Sequence, residues 1–487
     1  MVTLLDRTIE AISPSWALQR AAARTRLEAA KRGFKAASRD RRAAGWVTVG
    51  AQPSTAASAE LATLRQRSDQ MLNDNPYWGK GVRVIVNHTV GQGVRATVTG
   101  PNRAIAQQVQ ARFDAWARST ACDVTGRSNF FGLQKLYMRT VVQSGECLAR
   151  NYFSRKGELS LQLLGPDFLD ATQDKLPPQG PRTIGGVECD SFGKPIAYHL
   201  LAASPDSLLR TSNRVPAMDI LQGFDLLRVG QQRGIPWVAN VFTRLVDWDE
   251  FEDAELMRQK VAAAFGLVYT GVTSDDKTFT AHDKLEPGMI EYLPQGAQVT
   301  TVTPPANQGL GEMAKISHRA IAAGLGITYE ALTNDYSNVN FSSSRMANLA
   351  MAKNVEGWQQ NTLGEMFLDR VFAWFTAGLS LAGGIPRARE CSVEWAYPAA
   401  DLVDPNQENK ATIAEVRGGL QSLSGALRAR GRDPARIFAE IKADIEALDA
   451  AGLTLDTDPR KVSLQGQGAV NSKEGSPENG GNSEKNT

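Results

Sequence analysis

Residues 334–347, NDYSNVNFSSSRMA, contain the side chains of this sequence that most directly suggest chemistry. Three consecutive serines, Ser342 to Ser344, stand beside Arg345, and several Asn and Ser residues supply further short polar groups. A serine hydroxyl can act as a nucleophile when a general base lies nearby, and hydroxyls beside a cation can also bind phosphate. Catalysis and phosphate binding are therefore the first hypotheses to test.

The sequence around the serines gives little support to a serine hydrolase. Hydrolases of the α/β type place the nucleophile in G-x-S-x-G, because the glycines allow a strained turn, and here Phe341 and Arg345 occupy the glycine positions. The chain has four histidines, which are scattered along it, although folding could bring two of them together. A hydrolase that uses Ser342 to Ser344 stays open as an alternative.

Nucleotide-binding motifs do not explain the polar stretch either. The P-loop pattern G-x-x-x-x-G-K-[ST] is absent, and GLGEMA at 309–314 lacks the third glycine of the dinucleotide fingerprint. The sequence therefore predicts that this chain is not itself a motor ATPase.

Potential metal ligands lack the spacing of known metal sites. The acidic run DWDEFEDAE, residues 247–255, has neither the glycine nor the spacing of a calcium loop and falls on a predicted helix. Cys122, Cys147, Cys189 and Cys391 contain no C-x-x-C pair, which favours reduced, buried thiols over a zinc site. We expect no metal and no cofactor, and we interpret the acidic run as a solvated or lumen-facing helix surface.

The overall charge limits which partners the protein can bind. The 54 Lys and Arg against 52 Asp and Glu give a formal charge of +2, so any contact with DNA must be local. The basic patch KRGFKAASRDRR at 31–42 lies in an N-terminal arm that is either a solvated terminus or a contact for an acidic partner.

The longest uncharged apolar stretch, 371–385, is shorter than the roughly 18 residues of a membrane span, and the start lacks the pattern of a secretion signal. No membrane association is predicted.

The elements that precede the polar stretch form a predicted α+β domain. The length of 487 residues indicates about three structural units. Periodicity predicts helices over 59–71, 104–117 and 130–143, and strands over 82–100 and in GECLARNYF, ELSLQLL and GVECDSFGKPIAYHLL.

The polar stretch itself is predicted to lie between helices. Val238, Val241, Phe242 and Leu245 form one apolar stripe, which predicts a helix of about 25 residues. Helical patterns return at 312–325 and again from 345 to 379, with β-prone runs between 265 and 311. Near the C-terminus, Asp433 and Pro434 have the types typical of the N-cap and the first position of a helix.

The run GLGITYEALTNDYSNVNFSSSR, residues 324–345, resembles the signature of lambda-family phage portal proteins, which joins two helices in that family. Blocks at 64–94 and 113–150 and the C-terminal RGRDPARIFAEIKADIEALDAAGL resemble the family in the same order. Gln222 stands where the family often has His, and Phe341 stands where Tyr is usual.

This resemblance implies an α+β portal-type fold with an α/β wing, long stem helices, a β-rich clip and a helical crown. Such subunits form rings, usually of twelve, at one vertex of a capsid, and double-stranded DNA passes through the central channel. The implied segments are a basic arm at 1–45, the wing at 46–235, the first stem helix at 236–264, the clip at 265–311, the second stem helix at 312–333, the tunnel loop at 334–345, the long wing helix at 346–385, a C-terminal helical wing and crown region at 386–455 and a disordered tail at 456–487.

The resemblance also implies sites. The tunnel loop would line the channel with Asn334, Tyr336, Ser337, Asn338, Asn340, Ser342, Ser343, Ser344 and Arg345. We further expect an acidic helix face to point partly into the channel and to repel the duplex, through Asp247, Asp249 and Glu250. The clip would contact the terminase, with Asp283, Lys284, Glu286 and Glu291 as the charged candidates.

The chemistry of the predicted tunnel loop fits a channel through which DNA slides. Asn and Ser are short neutral donors that can touch phosphates without holding them, whereas each Lys or Arg paired with a phosphate adds salt-dependent affinity. Arg345 is the one cation in the stretch, and either a DNA contact or a structural salt bridge would account for it.

The implied partners are further copies of this chain, the large terminase subunit, the major capsid and scaffold proteins, head-completion or adaptor proteins and double-stranded DNA. The implied location is the virion, after assembly in the host cytoplasm, and no enzymatic activity is expected. Two alternatives stay open, which are a capsid maturation protease that uses Ser342 to Ser344 and a DNA-binding protein that acts through the basic arm without forming a ring.

Overall fold

The computed structural model describes residues 57–175, 180–202, 211–263, 267–270, 298–301, 310–337, 340–382, 384–399 and 405–453. The elements up to residue 224 are α1 Ala57–Asp74, α2 Pro76–Val90, β1 Arg95–Thr99, α3 Arg103–Arg118, α4 Phe130–Ser144, β2 Glu146–Phe153, β3 Leu159–Leu164, β4 Arg182–Ile184, β5 Val187–Cys189, β6 Pro195–Leu201, β7 Ser212–Pro216 and β8 Ile220–Phe224. The side chains of Asn75, Asn102 and Asn129 accept backbone N–H groups in the first turns of α2, α3 and α4.

The strand prediction over 82–100 is wrong in its first half. Residues up to Val90 belong to α2, and only β1 is extended. The buried side chains Trp78, Val82 and Ile85 recur every three or four residues, which is the period of a helix. The many β-branched residues of this stretch favoured the strand interpretation, but burial of one helical face and the Asn75 cap outweigh that preference.

The second half of the described chain is dominated by helices. Its elements are α5 Phe242–Ala263, β9 Leu267–Thr270, β10 Gln298–Thr301, α6 Leu310–Leu325, α7 Tyr329–Thr333, α8 Phe341–Gly357, a π-helical segment Trp358–Leu368, α9 Asp369–Leu381, β11 Ser392–Ala396, α10 Pro405–Arg417, α11 Leu423–Ala429 and α12 Pro434–Ala451. α8, the π-helical segment and α9 follow one another without a break, and we call Phe341–Leu381 the long helix.

All the named strands pair antiparallel. β3, β2 and β8 form one sheet in that order, and β4 to β7 form a second sheet in chain order. β9 pairs with β10, and β1 pairs with β11, with Arg95 opposite Ala396. The predicted α+β class is confirmed, and the region 386–455, expected to be a helical wing and crown region, also contains the strand β11. A five-residue strand whose partner lies almost 300 residues away gives little local signal.

The long helix passes through the main hydrophobic core. Leu363, Phe367 and Val371 are fully buried in it, and burial of such side chains is worth about 1.5–3 kcal/mol each. The ring of Phe367 stacks on that of Tyr137, with centroids 4.2 Å apart. The Tyr137 hydroxyl donates to the carbonyl of Thr362 at 3.0 Å, so α4 is fixed against the π-helical segment.

A buried ion network ties the sheets to the residues that precede α5. The Glu146 carboxylate accepts from Arg65 at 2.8 Å, from Arg233 at 2.6 Å, from the Gln222 amide at 2.6 Å and from the Gly234 N–H at 3.0 Å. Burial alone would raise the pKa of Glu146, but the two guanidinium groups and the hydrogen bonds outweigh it and hold the pKa below its usual value. The network thus fixes α1, β2 and β8 relative to the start of α5.

Among the described residues, no helix is both long enough and apolar enough to cross a bilayer.

Candidate functional site

The polar stretch begins at the C-terminal cap of α7, which also contacts α2. Asn334 caps the C-terminus of α7, and its φ of 57° places it in the left-handed region that Asn tolerates better than most residues. The Asn334 side-chain oxygen accepts a hydrogen bond from the Lys80 ammonium at 3.1 Å. The stretch is therefore attached to α2 at its first residue.

Asp335 folds the next residues into a turn. Its carboxylate accepts from the Ser337 hydroxyl at 2.6 Å, from the Ser337 N–H at 3.0 Å and from the Tyr329 hydroxyl at 2.8 Å. These hydrogen bonds lower the pKa of Asp335 to about 2, so the carboxylate stays ionised under all ordinary conditions. Ser337 is thus used by the turn, whereas the side chain of Tyr336 between them is 62% exposed.

The long helix begins with a capping box, and this corrects the predicted tunnel loop. The Asn340 side chain accepts from the Ser343 N–H at 2.8 Å, and the Ser343 hydroxyl accepts from the Asn340 N–H at 3.3 Å and donates to its carbonyl at 3.1 Å. Ser342, Ser344 and Arg345 therefore lie in the first turns of a helix and not in a loop that extends to residue 345. The reciprocal caps satisfy backbone groups that the helix start would leave unpaired.

The geometry removes the support for a serine nucleophile. The Ser343 hydroxyl is occupied by Asn340, and within the described residues no histidine nitrogen lies within hydrogen-bond distance of any of the three hydroxyls. Ser342 is exposed on the first turn, and Ser344 is half-buried. In the described ranges, no carboxylate forms an ion pair with Arg345, which is exposed.

A cleft of about 1050 Å³ opens beside this helix start. Its walls come from α2, from residues 328–336, from the long helix and from the β11 region, and they carry charges of both signs. Asn334, Tyr336 and Ser344 all lie on these walls, so the structure brings three of the predicted site residues together. In the described part of the chain, no three metal-ligating side chains meet.

The three predicted acidic residues of α5 have different environments. Asp247 and Glu250 are exposed. Asp249 is half-buried, and its two oxygens accept from the Asn75 amide at 2.8 and 2.9 Å. Because Asn75 is also the N-cap of α2, Asp249 takes part in a contact between α5 and α2 within the subunit.

α5 and α6 meet at a buried aromatic cluster. The His318 ring of α6 lies 4.2 Å from the ring of Tyr77 and 4.9 Å from that of Trp248, measured between centroids. Burial lowers the pKa of His318, and its Nε2 has no hydrogen-bond partner among the described residues. We interpret His318 as a neutral packing residue of the helix pair.

Several predicted residues lie outside the described ranges. They are Asn338 of the polar stretch, the clip candidates Asp283, Lys284, Glu286 and Glu291, the basic arm at 1–45 and the tail at 456–487. These remain predictions.

Sequence reasoning missed some residues that hold the site. Asp335 and Ser337, two positions apart, have the spacing of an Asx turn, and Asn340 and Ser343, three apart, have that of a capping box, so both signals were present. The contacts of Lys80 with Asn334 and of Asn75 with Asp249 join residues that are far apart in the chain and have no local signature.

Comparison with known proteins gives a consistent set of relatives. Residues 39–359 match the family described as phage portal protein, lambda family. A probable portal protein of Halomonas phage phiHAP-1 is 27% identical over 450 residues, which cover 84% of each chain.

Among solved structures, a chain in the neck of the native GTA particle computed with C12 symmetry is 15% identical with a TM-score of 0.45, covering 77% of this chain and 94% of that one. An HK97 family phage portal protein from Corynebacterium diphtheriae is 10% identical with a TM-score of 0.30, covering 74% of this chain and 99% of that one.

Proposed function

Because the chain belongs to the lambda family of phage portal proteins, we propose that it forms the ring, of twelve subunits, through which double-stranded DNA enters and leaves the phage head. In this proposal the ring sits at one capsid vertex of the virion, among major capsid and scaffold proteins, after assembly in the host cytoplasm. It acts as a conduit and a docking platform for the large terminase subunit and head-completion proteins, without an enzymatic reaction of its own.

The observation that carries this proposal is the capped polar turn between α7 and the long helix. Its backbone is held by Asp335 and Asn340, so the exposed side chains of Tyr336 and Ser342 are presented from a fixed base. Neutral side chains of this kind contact a duplex without adding ion pairs to phosphates, which is what a sliding channel requires. We assign residues 334–337 and the first turn of the long helix to the channel wall.

The packing of α5 against α6, the helices that flank residues 264–309, supports the assignment of this pair as a stem. α5 and α6 pack through Trp248 and His318, and Leu245 and Ile321 are fully buried beside them. The intervening residues include the strand pair β9–β10, which fits a β-rich clip. In this assignment Asp247 and Glu250 repel the duplex from the stem wall, and the clip contacts the terminase through the candidates at 283–291.

A positive charge introduced into the turn tests whether this turn lines a DNA channel. We expect purified wild-type rings to retain linear double-stranded DNA weakly, and Tyr336→Arg rings to retain it more strongly, with a steeper dependence on salt. Each new phosphate contact adds about 0.9 to the slope of log affinity against log salt. Tyr336→Gln is the matched neutral control and should behave as wild type. A Tyr336→Arg slope equal to that of wild type would show that the turn does not face DNA.

A further inference from the structure

The C-terminal helices leave an apolar groove open. α10 and α11 enclose it, and its volume of about 490 Å³ lies within the range of about 300–1,000 Å³ that is usual for binding pockets. Ile413, Val416, Leu423 and Leu427 supply aliphatic walls. Ile413 and Leu423 remain 54% and 52% exposed, so nothing in the described chain covers them fully.

α12 carries a second apolar surface, which the described chain covers only in part, since Ile445 and Leu448 are half-buried. Phe438, Ile441, Ile445 and Leu448 recur at spacings of three and four, which places them on one helical face. Phe438 is 41% exposed and Ile441 is 47% exposed, and among the residues of α12 only Pro434 is buried. A helix with this stripe is stable in water when another apolar surface covers it.

The charges of the two surfaces are complementary. Residues 405–432, which form the groove, contain five Lys or Arg and two Asp or Glu. α12 contains four Asp or Glu and two Lys or Arg. Groove against groove, or α12 against α12, would bring like charges together, whereas α12 against the groove brings opposite charges together.

We propose that α12 of one copy of this chain docks, apolar stripe first, in the groove between α10 and α11 of the neighbouring copy. The contact joins two different surfaces of the chain, and such head-to-tail contacts close into rings when the rotation between copies divides a full turn. An amphipathic helix in an apolar groove is a common mode of protein recognition. The inference deepens the proposed ring and rests on it for closure.

Two variants with exposed positions test the contact. Ile441→Glu places a charge in the stripe, and Ile413→Glu places one in the groove. Each should raise the subunit concentration needed for assembly at least tenfold, which corresponds to about 1.4 kcal/mol. Ala443→Glu and Ala411→Glu, on the opposite faces of the same helices, are the controls and should assemble as wild type. Circular dichroism should show all four variants folded.

Mixing the two variants separates this arrangement from others. A mixture of Ile441→Glu and Ile413→Glu chains retains one intact stripe and one intact groove, so we expect sedimentation to show pairs that do not grow further. Growth beyond pairs in the mixture, or rings of either single variant at wild-type concentration, would overturn the docking inference while leaving the portal proposal intact. Wild-type chains that form open filaments, abolished by either variant, would support the docking and contradict the ring. Wild-type chains that stay monomeric would overturn both.

Discussion

The side chains of Asp335, Asn340 and Ser343 form hydrogen bonds with backbone groups of the polar stretch. At the residue scale, these side chains shape the turn, whereas others are available to contact a ligand. Tyr336 and Ser342 belong to the second kind, because they are exposed. The same stretch therefore has both a structural and a surface role.

Alanine substitutions should separate the two roles. Asn340→Ala removes the cap of the long helix and should lower the free energy of unfolding by about 1 kcal/mol. Ser343→Ala removes the reciprocal hydrogen bond and should lower it by about 0.5–1.5 kcal/mol. Ser342→Ala is the matched control from the same turn and should change it by less than about 0.5 kcal/mol. Urea denaturation measures all three, and a Ser342→Ala loss as large as that of Asn340→Ala would contradict the capping assignment.

The acidic residues of α5 should separate in a similar way. Asp249→Ala removes hydrogen bonds from Asn75 to a charged group, and should lower the free energy of unfolding by about 1.5–3 kcal/mol. Asp247→Asn and Glu250→Gln should leave stability nearly unchanged, and together they should increase DNA retention by the ring at low salt because two exposed negative charges per subunit are lost. Unchanged DNA retention by the double variant would show that Asp247 and Glu250 do not line the channel.

At the scale of elements, the buried Glu146 network joins the sheets to the start of α5. Its carboxylate is fully buried between two guanidinium groups, and removal of one partner from such a pair leaves uncompensated charge. We expect the network to fix the position at which α5 begins, since Arg233 and Gly234 lie a few residues before that helix.

Glu146→Gln should lower the free energy of unfolding at pH 7 by about 3–5 kcal/mol. The folded pKa of Glu146 lies below its unfolded value, so its stabilising contribution is present above about pH 4.3 and is lost as the pH falls towards the folded pKa. Thermal unfolding between pH 7 and pH 3 should therefore be less pH-dependent in the variant. Glu188→Gln is the control, because its partner Arg214 is half exposed and such pairs contribute about 0.2–1 kcal/mol. Equal losses in the two variants would contradict the role of the network.

Elements with a strong local signal were predictable, and those defined by distant contacts were not. The Asp433 cap with Pro434 at the first turn of α12 is confirmed. The predicted apolar stripe is confirmed only as buried surface: Val238, Val241 and Leu245 are buried and Phe242 is half-buried, but α5 begins at Phe242, and Val238 lies in a preceding 3-10 turn, Trp237–Asn240. β11 was missed because its pairing with β1 depends on residues far away in the chain. The helix start at Phe341 was placed too late because its polar first turn looks like a loop until the caps are paired.

At the scale of the whole molecule, the described subunit leaves apolar surfaces exposed. The stripe of α12 and the groove of α10 and α11 are apolar and only partly covered by the described chain. The polar turn lies between α7 and the start of the long helix, whose stretch from Leu363 to Leu379 packs in the core. A ring in which the turns of successive copies converge on the axis would account for both features.

Electron microscopy of the purified chain tests this account most directly. We predict closed annular particles with twelve-fold symmetry, in which Tyr336 and Ser342 of every copy line a central opening wide enough for a DNA duplex. Compact single subunits under every assembly condition, or closed particles whose residues 334–340 lie on the outer surface, would contradict it.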